Sequence, residues 1–461
     1  MRVLFATAEL SPIARVGGLA EAAAGLVRAL RTTGVEVDVL VPDYGGIALG
    51  DEHVDELDLD AWAGRARVRH GYVDGFGAVS LVDATGLARP HPYLEPGTGT
   101  GWADNDRRFF TFSNAVAKWC ERHRPDVLHL NDWHTAPTLG MLSSPPPSVL
   151  TIHTIAYQGF ADASWLSTLT RERDAYAWYG GINPLAGAIR LADLVIAVSP
   201  TYAHEIVTPA AGVGLDTLLA ARGDRLVGIR NGIDTTVWDP AADEHIAATY
   251  DARTPAAKLT CRRELLHELS WPDDTEPLIA MVTRLTEQKG VDLVLDAVRF
   301  LATLPARLTV LGAGDTETAA ALHHAAAAHP DRVSFFEGYD NALGHRLFAG
   351  ADLLLMPSRF EPCGLAQMQA MAYGTLPVVT DVGGLHDTVV DDDDHRGLGN
   401  GFVAQHVDAS SVIDAMHRAV RACRQPSRRK AIARRAMLGD WSWSVPAAAH
   451  LAHYNELLQA R

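Results

Sequence analysis

The chain has 461 residues, of which 48% are hydrophobic and 21% charged, and its 40 Lys plus Arg against 56 Asp plus Glu give a net charge of −16. That length exceeds one ordinary core and predicts two domains. The acidic balance excludes nucleic acid as the main partner but leaves room for a local cationic pocket that holds a polyphosphate. Cys120, Cys261, Cys363 and Cys423 lie far apart, with neither metal-ligand nor disulfide-framework spacing, which fits reduced thiols in a cytoplasm. The opening MRVLFATAEL enters a strand with no charged leader and long apolar run, and no stretch nears the ~20 apolar residues of a membrane span. A cytoplasmic protein with no membrane partner is the expectation.

In chain order, the first half carries short apolar runs at 3–9, 36–42, 127–132, 148–153 and 194–199, and the second half at 278–284, 308–314, 333–339, 353–358 and 377–382. Amphipathic segments lie between them, such as the one placing Val291, Val294, Val298 and Leu301 on one face. This alternation predicts parallel sheets covered by helices on both faces, one sheet per half, making two Rossmann-like domains. Gly and Asn turn signals in GIRNGIDTTVWDP (228–240) place the boundary, so the expected division is 1–230, 231–438 and a final segment 439–461. That last segment joins Trp441 and Trp443 to an amphipathic helix and is expected to pack back on the first domain. The run Asp391 to Asp394 reads as a solvated loop.

Several polar motifs fall just past strand ends, where an open parallel sheet binds ligands. Gly17-Gly18 precedes a helix bearing Leu19, Leu26, Val27 and Leu30. Such glycines admit a close phosphate at a helix start, although a tight turn explains them equally well. Asn131-Asp132-Trp133-His134 ends one strand and His153 another. Arg284 closes LIAMVTR and Lys289 follows five residues on, a fork and a point charge suited to a diphosphate or else a pair of surface cations. Tyr339 ends VSFFEGY and can stack on a planar base or cap the core. Glu361, in Ser358-Arg359-Phe360-Glu361-Pro362-Cys363-Gly364-Leu365, is a carboxylate between a strand end and a helix that stops at Gly374, beside backbone N–H groups of the helix start.

The ordered set ELSPIARVGGLAE, WADNDRRFFTFSNAV, NDWHTA, TIHTIAYQG, AVSPTYAHEI, RNGIDTTVWDP, TRLTEQKGVDL, LGAGD, SRFEPCGLAQ, PVVTDVGGLHDTV and WSW resembles the bacterial glycogen synthase and plant starch synthase family, nearly end to end. The resemblance implies a GT-B glycosyltransferase fold of two facing Rossmann-like α/β domains with the active site in the cleft between them. It implies a retaining transferase that moves glucose from a nucleotide-sugar, with ADP-glucose favoured, to an α-glucan or oligosaccharide acceptor. Carried over by position, Arg284 and Lys289 would clamp the leaving diphosphate, and Glu361 would oppose positive charge at the anomeric carbon. His153 and Asp132 would flank the sugar. Arg15, Gly17, Gly18 and Asn231 would line the phosphate side, Tyr339 would neighbour the base, and Cys363, Gly364 and Leu365 would complete the donor loop. No cofactor and no metal is implied, because Arg, Lys and helix N-termini do that work. Arg15, Glu21, Ala366, Thr380 and Val382 depart from the family's pattern of Lys, Asp, Thr, Arg and Thr. They leave open a second reading, a relative in specialised metabolism that uses another nucleotide-sugar or a pseudo-sugar donor. A non-catalytic glucan-binding protein is the third.

Overall fold

The computed structural model describes residues 1–298 and 304–460, which form two compact units: 1–232 with 443–460, and 233–442. The first unit holds β1 (Arg2–Ala6), β2 (Glu36–Pro42), β3 (Gly50–Asp58), β4 (Arg65–Val73), β5 (Gly77–Ala84), β6 (Val127–Asn131), β7 (Ser148–Ile152), β8 (Ala161–Asp162), β9 (Ala177–Trp178), β10 (Gly181–Ile182), β11 (Leu194–Ala197) and β12 (Leu226–Gly228). Nine of these form one sheet in the order β12-β11-β7-β6-β1-β2-β5-β4-β3, and β8-β10-β9 form a small separate sheet. From β12 to β5 the large sheet is parallel, and β5, β4 and β3 continue it antiparallel. The strand expectation missed all three: β3, GDEHVDELD, is a polar edge strand with one buried residue, whereas β5, GAVSLVDA, buries residues 79–82 and was passed over.

Strands β1, β6, β7 and β11 bury both faces, as parallel strands must. Val3, Phe5, Val39, Val127 and Ile196 share a core with Leu26 and Leu30 of the helix Gly18–Thr32. The helix Ser444–Gln459 completes that core through Ala447 and Tyr454, and Trp443 lies against Gly25, where an added methyl would overlap the indole. Tyr454 reaches His129 on β6, Oη to Nδ1 at 2.5 Å, and His129 Nε2 meets Thr151 Oγ1 at 2.7 Å.

The second unit holds β13 (Leu278–Leu285), β14 (Arg307–Gly314), β15 (Val333–Glu337), β16 (Leu353–Met356), β17 (Leu376–Thr380) and β18 (Phe402–Ala404), all parallel, in the order β15-β14-β13-β16-β17-β18. Alternation along β13 sends Ile279 and Met281 to one core and Leu278 and Ala280 to the other, so helices cover both faces. Val291 and Val294 are buried on their helix, as the periodicity expects, while the side chain of Val298 and the whole of Leu301 lie outside what the structure describes.

The Asp391–Asp394 run corrects its solvated-loop expectation. Asp391 and Asp392 are buried. Asp391 accepts from Arg418 at 2.8 Å and from the Val403 amide at 2.7 Å, and Asp392 from Arg428 at 2.8 Å and Arg435 at 2.6 Å. Three arginines on later helices turn a like-charge run into an interior ion network. All four cysteines are buried and none is in a disulfide. Among the described residues no helix is long and apolar enough to cross a membrane, and no group of three His, Cys, Asp or Glu is placed to hold a metal ion.

Candidate active site

In the second unit the candidate residues gather at the carboxyl ends of β13 and β16, adjacent strands of one sheet. After β13 the chain makes a single 3₁₀ turn, Glu287–Lys289, and Gly290 closes it at φ +64° with its Cα against the Pro357 carbonyl. A side chain there would strike that oxygen, so glycine lets the turn lie flat on the strand end. The approach delivers Lys289 Nζ to Glu361 Oε2 at 2.5 Å, and Ser358 Oγ donates to the same oxygen at 3.0 Å. Thr380, buried on β17, donates to the Ser358 carbonyl at 2.5 Å and so braces the serine from below. Glu361 therefore rests on an ammonium and a hydroxyl, not on the amides of a helix start; its own carbonyl takes the Gly384 amide at 2.9 Å.

Arg359 fastens the two loops to each other. Its guanidinium grips Asp292 at 2.7 and 2.6 Å and donates to the Glu287 carbonyl at 3.0 Å, while its amide donates to the Gln288 carbonyl at 2.8 Å. Gln288 Nε2 returns a bond to the Phe360 carbonyl at 3.1 Å. Arg284, exposed near the end of β13, touches Gln288 Oε1 at 3.4 Å. Cys363 is buried, Gly364 takes φ +72°, and Leu365 caps the short helix Ala366–Ala372. Tyr339 follows β15 and is 79% exposed, so it does not cap the core.

In the first unit the candidates gather past β1, β6 and β7. Asp132 adopts φ +53°, a region Asp tolerates, which turns its carboxylate back onto the next strand. Its Oδ1 accepts the His153 amide at 2.7 Å, and its own amide donates to the Thr151 carbonyl at 2.9 Å. Burial pushes the Asp132 carboxyl up to about 7, against the opposing pull of the His153 and Thr154 amides. Burial, with His450 nearby, lowers His153 to about 3 and keeps the ring neutral. Asn131 Nδ2 donates to the Ala6 carbonyl at 2.9 Å, so its Oδ1 is the acceptor for His153 Nε2, also at 2.9 Å. The imidazole is thus an Nε2–H tautomer whose orientation the neighbouring strand sets.

Arg15 pairs with Glu21 at 2.7 Å, so two departures from the resemblance's pattern meet as one ion pair. Gly17 and Gly18 are exposed, and a Cβ at Gly17 would meet no atom within 4 Å. Since Gly17 has φ −146°, no backbone strain explains it. Asn231 is buried just past β12, with its carbonyl accepting from Arg230 at 3.0 Å. Residues the motif reading passed over are Ser358 and Arg359, which flank Glu361 in the same octet, and Glu9 and Tyr93. The carboxylate of Glu9 accepts from Tyr93 Oη and from the amides of Val16 and Gly17. Their signal was position alone: Glu9 stands at the end of the first apolar run.

A cation pair, a carboxylate and strand-end turns over a parallel sheet suit transfer from an activated phosphate ester. Residues 2–221 match the family described as starch synthase catalytic domain, and residues 263–436 that of glycosyl transferases group 1. The glycogen synthase of Halorhodospira halophila is 41% identical over 477 residues, spanning 100% of both chains, and that of Alkalilimnicola ehrlichii is 40% identical over 479, spanning 98% of each. The solved catalytic domain of starch synthase IV from Arabidopsis thaliana, bound to ADP and acarbose, is similar at a TM-score of 0.89 and 30% identity, with 99% of each chain covered. Sucrose-phosphate synthase from Thermosynechococcus elongatus, at a TM-score of 0.66 and 18% identity over 100% of each chain, shares the fold.

Proposed function

The chain belongs to the glycogen synthase and starch synthase family, a glucosyltransferase of GT-B fold, and from that premise we propose ADP-glucose as its donor and the non-reducing end of an α-1,4-glucan as its acceptor. The observation that carries the reading is Lys289 Nζ on Glu361 Oε2 at 2.5 Å, with Arg284 near the end of β13 and touching, through Gln288, the turn that carries Lys289. Lys289 and Arg284 take the charge that builds on the departing diphosphate, and Glu361 faces the positive charge that builds at the anomeric carbon. A sugar nucleotide already carries a good leaving group, so preset charges and exclusion of water supply most of the acceleration. Retention follows if the acceptor attacks from the face the phosphate leaves, with that phosphate taking the acceptor proton.

In the same reading His153 and Asp132 hold sugar hydroxyls. Arg15, Gly17, Gly18 and Asn231 serve the phosphate side, Tyr339 the base, and Cys363 to Leu365 the donor loop. ADP in the Arabidopsis structure supports the adenine nucleotide, and acarbose there supports a glucan-like acceptor. The full-length glycogen synthase relatives favour glucan synthesis over specialised metabolism. The reaction needs no metal, and it belongs in the cytoplasm where sugar nucleotides are made.

A donor panel of ADP-, UDP- and GDP-glucose with glycogen tests this, read as nucleoside diphosphate released and label incorporated. ADP-glucose should be the best donor. Lys289→Ala and Arg284→Ala should each lower transfer by about 10²-fold or more without loss of fold. Wild-type turnover in both folded variants sinks the assignment of the clamp.

A further inference from the structure

Three residues past β1, the carboxylate of Glu9 is 4% exposed and has no ion-pair partner among the described residues. Oε2 accepts from the Val16 amide at 2.8 Å and the Gly17 amide at 2.9 Å, and Oε1 accepts from Tyr93 Oη at 2.8 Å. Thr7 Oγ1 donates to the Glu9 carbonyl at 2.9 Å, and Tyr44 donates to the Ala8 carbonyl at 2.8 Å, so the residue cannot swing away. Tyr93 in turn stacks on His134, ring centroids 5.0 Å apart and 29° from parallel. Burying an anion among neutral donors costs stability unless its hydrogen bonds are complete. Here they bind three separate segments to one another.

The structure assigns Glu9 as a positioning residue for glucosyl transfer: its carboxylate occupies the amides of the glycine turn as an internal anion and locks that turn to Tyr93. The assignment deepens the transferase reading and rests on it. One consequence is that the Val16 and Gly17 amides are not the phosphate cradle that a glycine pair ahead of a helix suggests. The donor meets the turn through Arg15 and the open Cα face of Gly17 instead.

Two variants and one small anion test it. In Glu9→Ala, formate can enter the space of the lost carboxylate. Sodium formate should raise the variant's melting temperature above that seen with equal sodium chloride, and should leave wild type unmoved. With donor and glycogen, kcat should fall in the order wild type, Glu9→Gln, Glu9→Ala, by at least about tenfold for Ala, since small displacements at a reacting site cost this much. The donor KM should stay within about threefold, and formate should restore kcat in the Ala variant only. A folded Ala variant with wild-type kcat, or one that formate neither stabilises nor rescues, overturns the assignment. So does a donor KM raised about tenfold in Glu9→Gln, which would place the charge on the donor itself. If the Ala variant does not fold, the Gln variant decides through its kcat and KM, and a wild-type kcat there is fatal. The formate arm requires no turnover, so an inactive wild type would defeat the transferase reading and still leave Glu9 to be judged.

Discussion

Replacing Glu361 with Gln should weaken turnover and strengthen product binding at once. Lys289 and Glu361 have side chains only 16% and 6% exposed, and at 2.5 Å their direct contact is that of a charge-assisted pair drawn close. Before a diphosphate can use the ammonium, that bond must be given up or shared. Glutamine keeps the size of the side chain and an acceptor for Ser358 but removes the charge. A charge-assisted bond contributes about 1.5–3 kcal/mol, so relief from this competition should tighten ADP roughly 10- to 100-fold. Transfer should drop by about 10²-fold or more, because the carboxylate that faces the anomeric carbon is gone. Titration calorimetry with ADP gives the first number and label incorporation into glycogen the second. ADP affinity equal to or weaker than wild type, in a variant with unchanged circular dichroism, refutes the idea that Glu361 spends the Lys289 charge in the free protein.

Asp132 predicts a pH signature. With its carboxyl raised from 3.8 to about 7, the native state keeps a proton that the unfolded chain has lost, so stability falls as pH climbs between those values and is level above them. Asp132→Asn removes that slope, at about 1.4 kcal/mol per pH unit, so its stability relative to wild type should improve from pH 4 to pH 8 in urea melts. Parallel pH dependences would refute the shift. Gly25→Ala drives a methyl into the Trp443 indole and should destabilise the first unit by about 1–3 kcal/mol, with faster proteolysis within 443–460. Unchanged melting and cleavage would show that the indole gives way freely.

Sequence reading reached β1, β2, β6, β7, β11 and β13 to β17 through their apolar runs but passed over β5, whose residues 79–82 are as buried, and it reached Glu361 and Lys289, which short motifs mark at strand ends. Edge strand β3 was hidden because a strand that buries one residue in nine has no apolar period to detect. The aspartate run was misread because the arginine partners of its buried members, Asp391 and Asp392, stand 27 to 43 residues away, beyond the range of any local charge pattern. Glu9 looked like one polar letter after a strand; only the chain's return through Val16, Gly17 and Tyr93 gives it a task. Ser358 and Arg359 were in plain view within the octet, yet Arg359 works through Asp292 and Glu287, 67 and 72 residues away, and Ser358 through a hydroxyl on Glu361 that no motif marks.

The helix at 444–459 also sets an order of assembly. The second unit is continuous, so a ribosome delivers all of it before residues 443–460 emerge. Until then the first unit has Gly25 without its indole and His129 without the Tyr454 hydroxyl, with part of the core it shares with that helix open. Domains tend to fold as they leave the ribosome, beginning from the N-terminal side. Here a segment synthesised early must wait for one made after the whole second unit, and the β1 and β6 flank stays open in the interval.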